Sequence, residues 1–200
     1  MFIRKAANKI SIAKRKPICG IAINDAWYIT QSSKHGTCPI YRKWKDMISR
    51  SYSSKMHKNN PTYEDCSVCD EWLTFSNFLS WYEANHVDGF DLDKDLKVKG
   101  NKIYSPDTCL FVPQEVNRLF ADKPSLNRSL PTGVSFHKGT GKYRARISSS
   151  HIGLFENQKD AVKAYAQAMD EKIRILICQY PNLKIVLSQY LTGTIKSTDF

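Results

Sequence analysis

The sequence has 200 residues, enough for one domain or for two small ones. Hydrophobic residues make up 42% of it and aromatic residues 12%, so it can bury a core and is not globally disordered. A formal net charge of +11 predicts a polyanionic partner, with nucleic acid favoured over membrane, and no apolar run is long enough to span a bilayer.

The beginning of the chain combines positive charge with a short alternating stretch. Residues 1–17 contain six Lys or Arg and no acid, which predicts a basic arm or a first strand. They lack a signal-peptide core, so we expect a cytoplasmic protein whose cysteines are mostly reduced. Residues 19–30 alternate around Asn24-Asp25, which predicts a short hairpin.

Two helices are predicted from apolar side chains at helical spacing. The first covers residues 40–52, with a stripe of Ile40, Trp44, Met47, Ile48 and Ser51. The second covers residues 75–82, with Phe75, Phe78, Leu79 and Tyr82. We expect these aromatic side chains to form core rather than to stack on nucleic-acid bases.

Four residues raise the question of a zinc site. Cys66 and Cys69 have Cys-x-x-Cys spacing, and His35 and Cys38 could supply a second pair of ligands. The second pair is not Cys-x-x-Cys, however, and the neighbouring Val68 is typical of core. The sequence therefore favours ordinary core over structural zinc.

The middle of the chain is acidic. Residues 64–95 contain nine Asp or Glu and a single lysine, Lys94. Such a patch could hold a metal ion beside bound phosphate, or it could only balance neighbouring lysines, and both interpretations stay open.

Residues 92–120 predict a strand, a loop, a strand and a helix. Alternation in residues 92–98 sets Asp91, Asp93 and Asp95 on one strand face, and carboxylates so close together repel unless a cation lies there. An apolar strand at residues 109–112 then leads into a helix after Pro113, and this helix carries Asn117. The order is that of a ββα-metal unit, in which an Asp and a helix residue hold a divalent ion against the scissile phosphate.

After a polar segment at 121–131, residues 133–168 predict a basic hairpin followed by a helix. Val134 and Phe136 alternate with Ser135 and His137, and after a Gly-Thr-Gly turn an apolar face opposes a cationic one. The period becomes helical at Asn157, the expected N-cap. A cationic strand face can be a solvated surface or can suit a nucleic-acid groove. Beyond this helix an apolar tail can pack on its own domain or join two chains into a homodimer.

The pattern GVxF…GKYxAxI…xIGxFxxxxxAxxAYxxA resembles the AP2 domain and covers about one fifth of the chain. The resemblance implies a three-stranded antiparallel sheet packed on one helix that binds duplex DNA. The sequence departs from plant AP2 regulators, which have arginines at the positions of Ser135 and His137 and usually an acid at that of Arg146. DNA binding thus transfers better than a recognition sequence. The DNA-binding residues expected from it are Ser135, His137, Lys138, Lys142, Arg144, Arg146 and Ser148.

The central motif, with the upstream segment YRKWKDMISRSY…CSVCDEWLTFSNFLSWY, resembles phage-encoded HNH homing-endonuclease proteins that also carry an AP2 domain. The resemblance implies catalytic residues Asp93, Lys94 and Asn117, with Asp93 and Asn117 binding Mg²⁺ or a similar ion, in an infected bacterial host. Lys94 stands where the general-base histidine is expected. A solvated lysine is protonated at neutral pH and cannot accept a proton from water.

Together these patterns predict an α+β fold with a central HNH-like ββα-metal unit, flanking helices and the AP2-like sheet and helix. The expected organisation is a basic arm (1–17), an HNH-like domain (18–120), a linker (121–131), an AP2-like domain (132–180) and a tail (181–200). The predicted function is DNA binding with metal-dependent cleavage. The alternative is a non-catalytic DNA-binding protein or transcription regulator on the same scaffold. A protein that binds another acidic surface is disfavoured by the cationic hairpin.

Overall fold

The computed structural model describes residues 2–33, 36–121 and 130–192, and over these ranges the fold is α+β, as predicted. The chain divides into two compact units, Met1–Phe111 and Val112–Phe200. The predicted linker lies further along the chain, and residues 122–129 of it are outside the described residues. No helix in the described ranges is long and apolar enough to cross a membrane.

The first unit contains short strands and four helices. The helices are α1 (Lys9–Ala13), α2 (Pro39–Tyr52), α3 (Ser54–Asn59) and α4 (Phe75–Asn85). The strands are β1 (Gln31–Ser32), β2 (Gly36–Thr37), β3 (Ser67–Val68), β4 (Phe90–Asp93) and β5 (Ile103–Tyr104). β1 pairs with β2, β3 with β5, and β4 with β6 (Leu110–Pro113), the strand in which the chain passes from the first unit to the second.

Aromatic side chains form the core of the first unit, as the two helical stripes predict. Trp44 on α2 and Phe75 on α4 are fully buried with ring centroids 5.2 Å apart. The Trp44 indole donates a hydrogen bond to the Trp72 carbonyl at 2.7 Å, so the polar atom of this buried ring is satisfied. These contacts confirm that the aromatic stripe is core.

Residues 19–30 do not form the predicted hairpin. Residues 19–21 form a tight turn, and the rest of the segment is extended and pairs with other parts of the chain: Ile23 with Leu73 and Phe75, and residues 27–29 with residues 5–7. The alternation is present, with Ala22, Ala26 and Tyr28 buried and Ile21, Ile23 and Trp27 exposed. The guanidinium of Arg15 donates to the carbonyls of Asn24 at 3.0 Å and Tyr28 at 2.8 Å, which holds the segment along one edge.

The second unit begins with α5 (Gln114–Phe120) and continues with a three-stranded antiparallel sheet. Its strands β7 (Val134–His137), β8 (Lys142–Ile147) and β9 (Ser150–Phe155) lie in sequence order. Helix α6 (Gln158–Gln179) packs across one face of the sheet, and the side chain of Asn157 caps its N-terminus by accepting from the Asp160 amide at 2.9 Å. The predicted sheet packed on one helix is therefore present.

Small residues bring α6 close to the sheet. Ala145 on β8 and Ala161 on α6 are fully buried in the same cluster. At the start of β7, Gly133 has a φ of +80° and lies directly against the ring of Tyr165, so that a Cβ at this position would overlap the ring. Glycine is required here both for backbone conformation and for space.

The apolar tail packs within the second unit. After α6, helix α7 (Lys184–Ser188) folds back, and Ile173, Leu176, Leu183 and Leu187 are buried. Glu115 on α5 accepts a hydrogen bond from the Tyr180 hydroxyl at 2.7 Å. The tail thus covers its own unit, while a homodimer stays a prediction.

Replacing Gly133 by alanine should destabilise the second unit by about 2–4 kcal/mol, because the positive φ and the overlap with Tyr165 add. Gly141→Ala is the matched control, since Gly141 has a φ of +68° but no atom near its Cβ position. Urea unfolding followed by circular dichroism measures both. Equal decreases in the stability of the two variants would contradict the close packing of α6 on the sheet.

Candidate nucleic-acid interface

The outer face of the sheet, opposite α6, carries most of the side chains predicted to contact DNA. Residues that pair directly across strands share a face, so the pairs Ser135–Arg144 and His137–Lys142 place four of them together. Arg146 follows the same alternation along β8 and pairs with His151 on β9. The face as a whole comprises Ser135, His137, Lys142, Arg144, Arg146, His151 and Leu154.

The other two predicted residues lie in the turns that join the strands. Lys138 is exposed in the β7–β8 turn, where the His137 ring and the Thr140 hydroxyl are hydrogen-bonded at 2.9 Å. Ser148 is the first residue of the two-residue turn between β8 and β9 and has a φ of +50°. Both residues border the outer face instead of projecting from its centre.

The outer face is strongly cationic. Residues 134–155 contain four Lys or Arg and no Asp or Glu. Among the ion pairs of the described residues, the one that reaches this face joins the Lys142 ammonium to the Glu156 carboxylate at 2.6 Å. The Nε of Arg144 is shielded from water and has no hydrogen-bond partner in the described part of the chain. Arg146 makes only a long contact, 3.4 Å, to the Ser149 carbonyl.

Two members of this face, His151 and Leu154, were not predicted from the sequence. Simple alternation along β9 puts residues 151 and 154 on opposite faces. The register shifts between Ala145 and Arg146, so that Gly153 and His151 are their successive partners and Ile152 is the extra residue of a bulge. The signal in the sequence was the apolar Ile152 next to His151, which the structure places under α6 together with Phe155.

The predicted strand face of three aspartates is wrong. β4 ends at Asp93, because its carboxylate accepts hydrogen bonds from the amides of Asp95 at 2.9 Å and Leu96 at 2.7 Å, and these bonds turn the chain. Asp95 lies beyond the turn, and Asp91 is 3.4 Å from the Lys43 ammonium. The carboxylates are thus spread over different partners.

The Asp93 carboxyl is partly buried, and this burial raises its pKa, although the two amide hydrogen bonds and Lys94 act in the opposite direction. A divalent ion would bind the ionised form of the Asp93 carboxyl, which is also the form that the two amide hydrogen bonds favour. One carboxylate oxygen is engaged by the backbone, which leaves the other as the oxygen that could bind a metal.

Lys94 is built into the loop that follows β4. The residue is only 7% exposed, and its ammonium donates to the Asp95 carboxylate and, at 3.0 Å, to the Asn101 carbonyl. The Asn101 amide donates back to the Lys94 carbonyl at 2.7 Å, so the two residues close the loop reciprocally. The ammonium also lies 5.7 Å from the centroid of the Tyr104 ring. An ammonium has donors and no acceptor, so in this arrangement Lys94 acts as a structural donor.

The two predicted metal ligands fall in different units. Asp93 belongs to the first unit and Asn117, half-buried on α5, to the second. Among the described residues, no cluster of three or more His, Cys, Asp or Glu side chains is suited to a metal. This finding does not test the predicted site, which consists of one Asp and one Asn. Binding of a divalent ion by Asp93 and Asn117 therefore stays a prediction.

The remaining candidate groups have structural surroundings. His86, the single histidine of the acidic stretch at residues 64–95, stacks on Tyr82 at 4.6 Å and meets the edge of the Phe111 ring at 5.2 Å. Cys66 is buried and Cys69 half-buried at either end of β3, and both are free thiols. Of the other two residues considered for zinc, Cys38 is a buried free thiol and His35 lies outside the described residues.

Comparisons with protein-family models, with curated proteins and with solved structures return no match to this chain. The residues and their arrangement are therefore the basis for assigning a function.

Lys94→Ala should destabilise the first unit by about 1–3 kcal/mol, because it leaves the Asn101 carbonyl without its donor and Asp95 without its cation. The exposed Lys99 is the control, and Lys99→Ala should have little effect. Urea unfolding followed by tryptophan fluorescence reports on this unit, since all four tryptophans lie in it. A Lys94→Ala protein as stable as wild type would show that the lysine is not a structural donor.

Proposed function

We propose that this chain is a DNA-binding protein that contacts duplex DNA through the outer face of β7–β9. The observation that carries the proposal is the cationic sheet face, with Lys142, Arg144 and Arg146, with Lys138 in the adjoining turn, and with no acid in residues 134–155. Adjacent positive charges on one face repel each other and do nothing for folding. Phosphate groups supply the missing negative charge and release condensed counterions on binding.

The dimensions of the sheet favour a duplex. Strands lie about 4.8 Å apart, so three of them span roughly 10 Å, which fits a major groove about 12 Å wide. Strands are an established way of reading a groove. Helix α6 covers the opposite face, so the sheet presents its cations from a rigid support.

In the described part of the chain, three cations of the first unit have acidic partners, in contrast to the two arginines of the sheet face. Arg4 pairs with Glu83, Lys43 with Asp91 and Lys94 with Asp95. In the sheet, Lys142 has one acidic partner, and the Nε of Arg144 has no hydrogen-bond partner within the described residues. The guanidinium group of an arginine without an acidic partner is well suited to bidentate hydrogen bonds with phosphate or guanine.

Arg144→Ala combined with Arg146→Ala should weaken duplex binding at least tenfold and reduce the slope of log K against log salt by about 0.9 for each phosphate that the variant no longer neutralises. Lys159→Ala combined with Lys163→Ala removes the same charge from exposed positions on α6 and is the matched control. Fluorescence anisotropy with a labelled duplex at several salt concentrations measures both. Equal weakening in the two double variants would mean that net charge, and not the sheet face, governs binding.

Phosphodiester hydrolysis is a second candidate function, favoured by the order of elements around Asp93. The strand β4 ends in Asp93, its partner strand is β6, and α5 with Asn117 follows β6 directly. The position expected for the general base holds Lys94, whose ammonium is already engaged as a donor. Hydrolysis would thus need a base from elsewhere, and without one the chain is a DNA-binding protein of the regulator type.

Incubation of the purified protein with supercoiled plasmid separates these functions. If the chain is a nuclease, nicking should require Mg²⁺ or Mn²⁺, stop with EDTA, and fall at least a hundredfold in Asp93→Ala and in Asn117→Ala. Lys99→Ala serves as a control for altered surface charge. A plasmid that is retarded on a gel but never nicked under any of these conditions would eliminate the second candidate and leave the first.

A further inference from the structure

Leu154 is out of place on the outer face of the sheet. The face is otherwise polar or cationic, and most apolar side chains of the sheet, among them Val134, Ile152 and Phe155, pack under α6. Leu154 nevertheless faces outward, where it is 40% exposed. A solvated strand face normally alternates polar residues outward, so a leucine here serves neither the core nor solubility.

Leu154 lies beside Arg144, and this position indicates what its exposed side chain can contact. Ser135, Arg144 and Leu154 form one row straight across the three strands, so Leu154 is the direct neighbour of Arg144. Directly paired side chains on a sheet are about 5 Å apart, and successive base pairs rise by about 3.4 Å. Side chains of this row can therefore reach the same or adjacent base pairs when the sheet lies in the major groove.

The chemistry of the major groove offers one partner for each of these side chains. Arginine donates two hydrogen bonds to O6 and N7 of guanine. An aliphatic side chain contacts the C5 methyl group of thymine, the apolar group that the major-groove edge of a base pair exposes. A serine hydroxyl accepts or donates with either kind of pair and discriminates little.

We propose that Leu154 is a specificity-determining residue that contacts a thymine methyl group next to a guanine read by Arg144. This inference rests on the proposed function, because it requires the outer face to lie in the major groove. The preferred duplex would then have thymine and guanine in the same or neighbouring base pairs. The cations would supply the affinity for DNA, and Leu154 would supply part of the sequence selectivity.

The test begins with selection of bound sequences by the full chain from duplexes with a randomised centre. Each thymine of the selected duplex is then replaced by uracil, which removes the methyl group and nothing else. At one position, next to a guanine that Arg144→Ala no longer selects, uracil should weaken wild-type binding about fourfold, the effect of one buried methyl group.

Three variants assign that effect to Leu154. Leu154→Ala should bind the thymine and uracil duplexes equally, while Leu154→Met should keep the preference because it restores an apolar contact. Ile175→Ala removes an aliphatic side chain of similar exposure, 46%, from α6 and should keep the full preference. Binding of an unrelated duplex by all three variants shows that the sheet is folded.

The possible failures are distinct. Wild-type protein that binds DNA but is indifferent to uracil at every thymine would overturn the role of Leu154 and leave the proposed function intact. A preference for thymine that persists in Leu154→Ala would assign the methyl contact to another residue. No duplex binding at all would end both proposals together.

Discussion

The arrangement of the second unit depends on how closely α6 approaches the sheet. Gly133, Ala145 and Ala161 have little or no side chain, so helix and strands meet without space for anything longer. A lysine or arginine at an inner position would be buried without a partner, which is costly. The close contact therefore forces the long basic side chains of the hairpin to the outer face. The same packing that stabilises the unit also concentrates its positive charge on one surface.

Positive charge serves different purposes in the two units. In the first unit, Arg15 holds an extended segment by donating to its carbonyl groups, and Lys94 closes a loop through Asp95 and Asn101. The positive groups of these two side chains are hydrogen-bonded within the folded chain. In the second unit, the Nε of Arg144 has no hydrogen-bond partner among the described residues, and Arg146 makes one long hydrogen bond, to the Ser149 carbonyl. Total charge of the chain could not distinguish these uses, because both kinds of residue add equally to +11.

The features that could be predicted from the sequence are those that depend on residues close together in the chain. The stripes of α2 and α4 and the alternation of β7 and β8 are strong, and the Asn157 cap was found because capping depends on neighbours alone. Residues 19–30 were misread because their backbone partners, residues 5–7 and 73–75, are distant in sequence. The end of β4 was misread because a side-chain bond from Asp93 overrides alternation, and His151 was missed because a bulge shifts the phase of β9.

The surroundings of Lys94 bear on how binding and cleavage relate to one another in this chain. A histidine in this place could accept a proton, but it could not donate to both Asp95 and Asn101 from a single tetrahedral ammonium as the lysine does. The lysine holds the loop that follows the strand ending in Asp93, and its ammonium offers no acceptor that could activate water. Cleavage by such a chain would require another group to accept the proton of the attacking water. A histidine at this position could accept that proton itself.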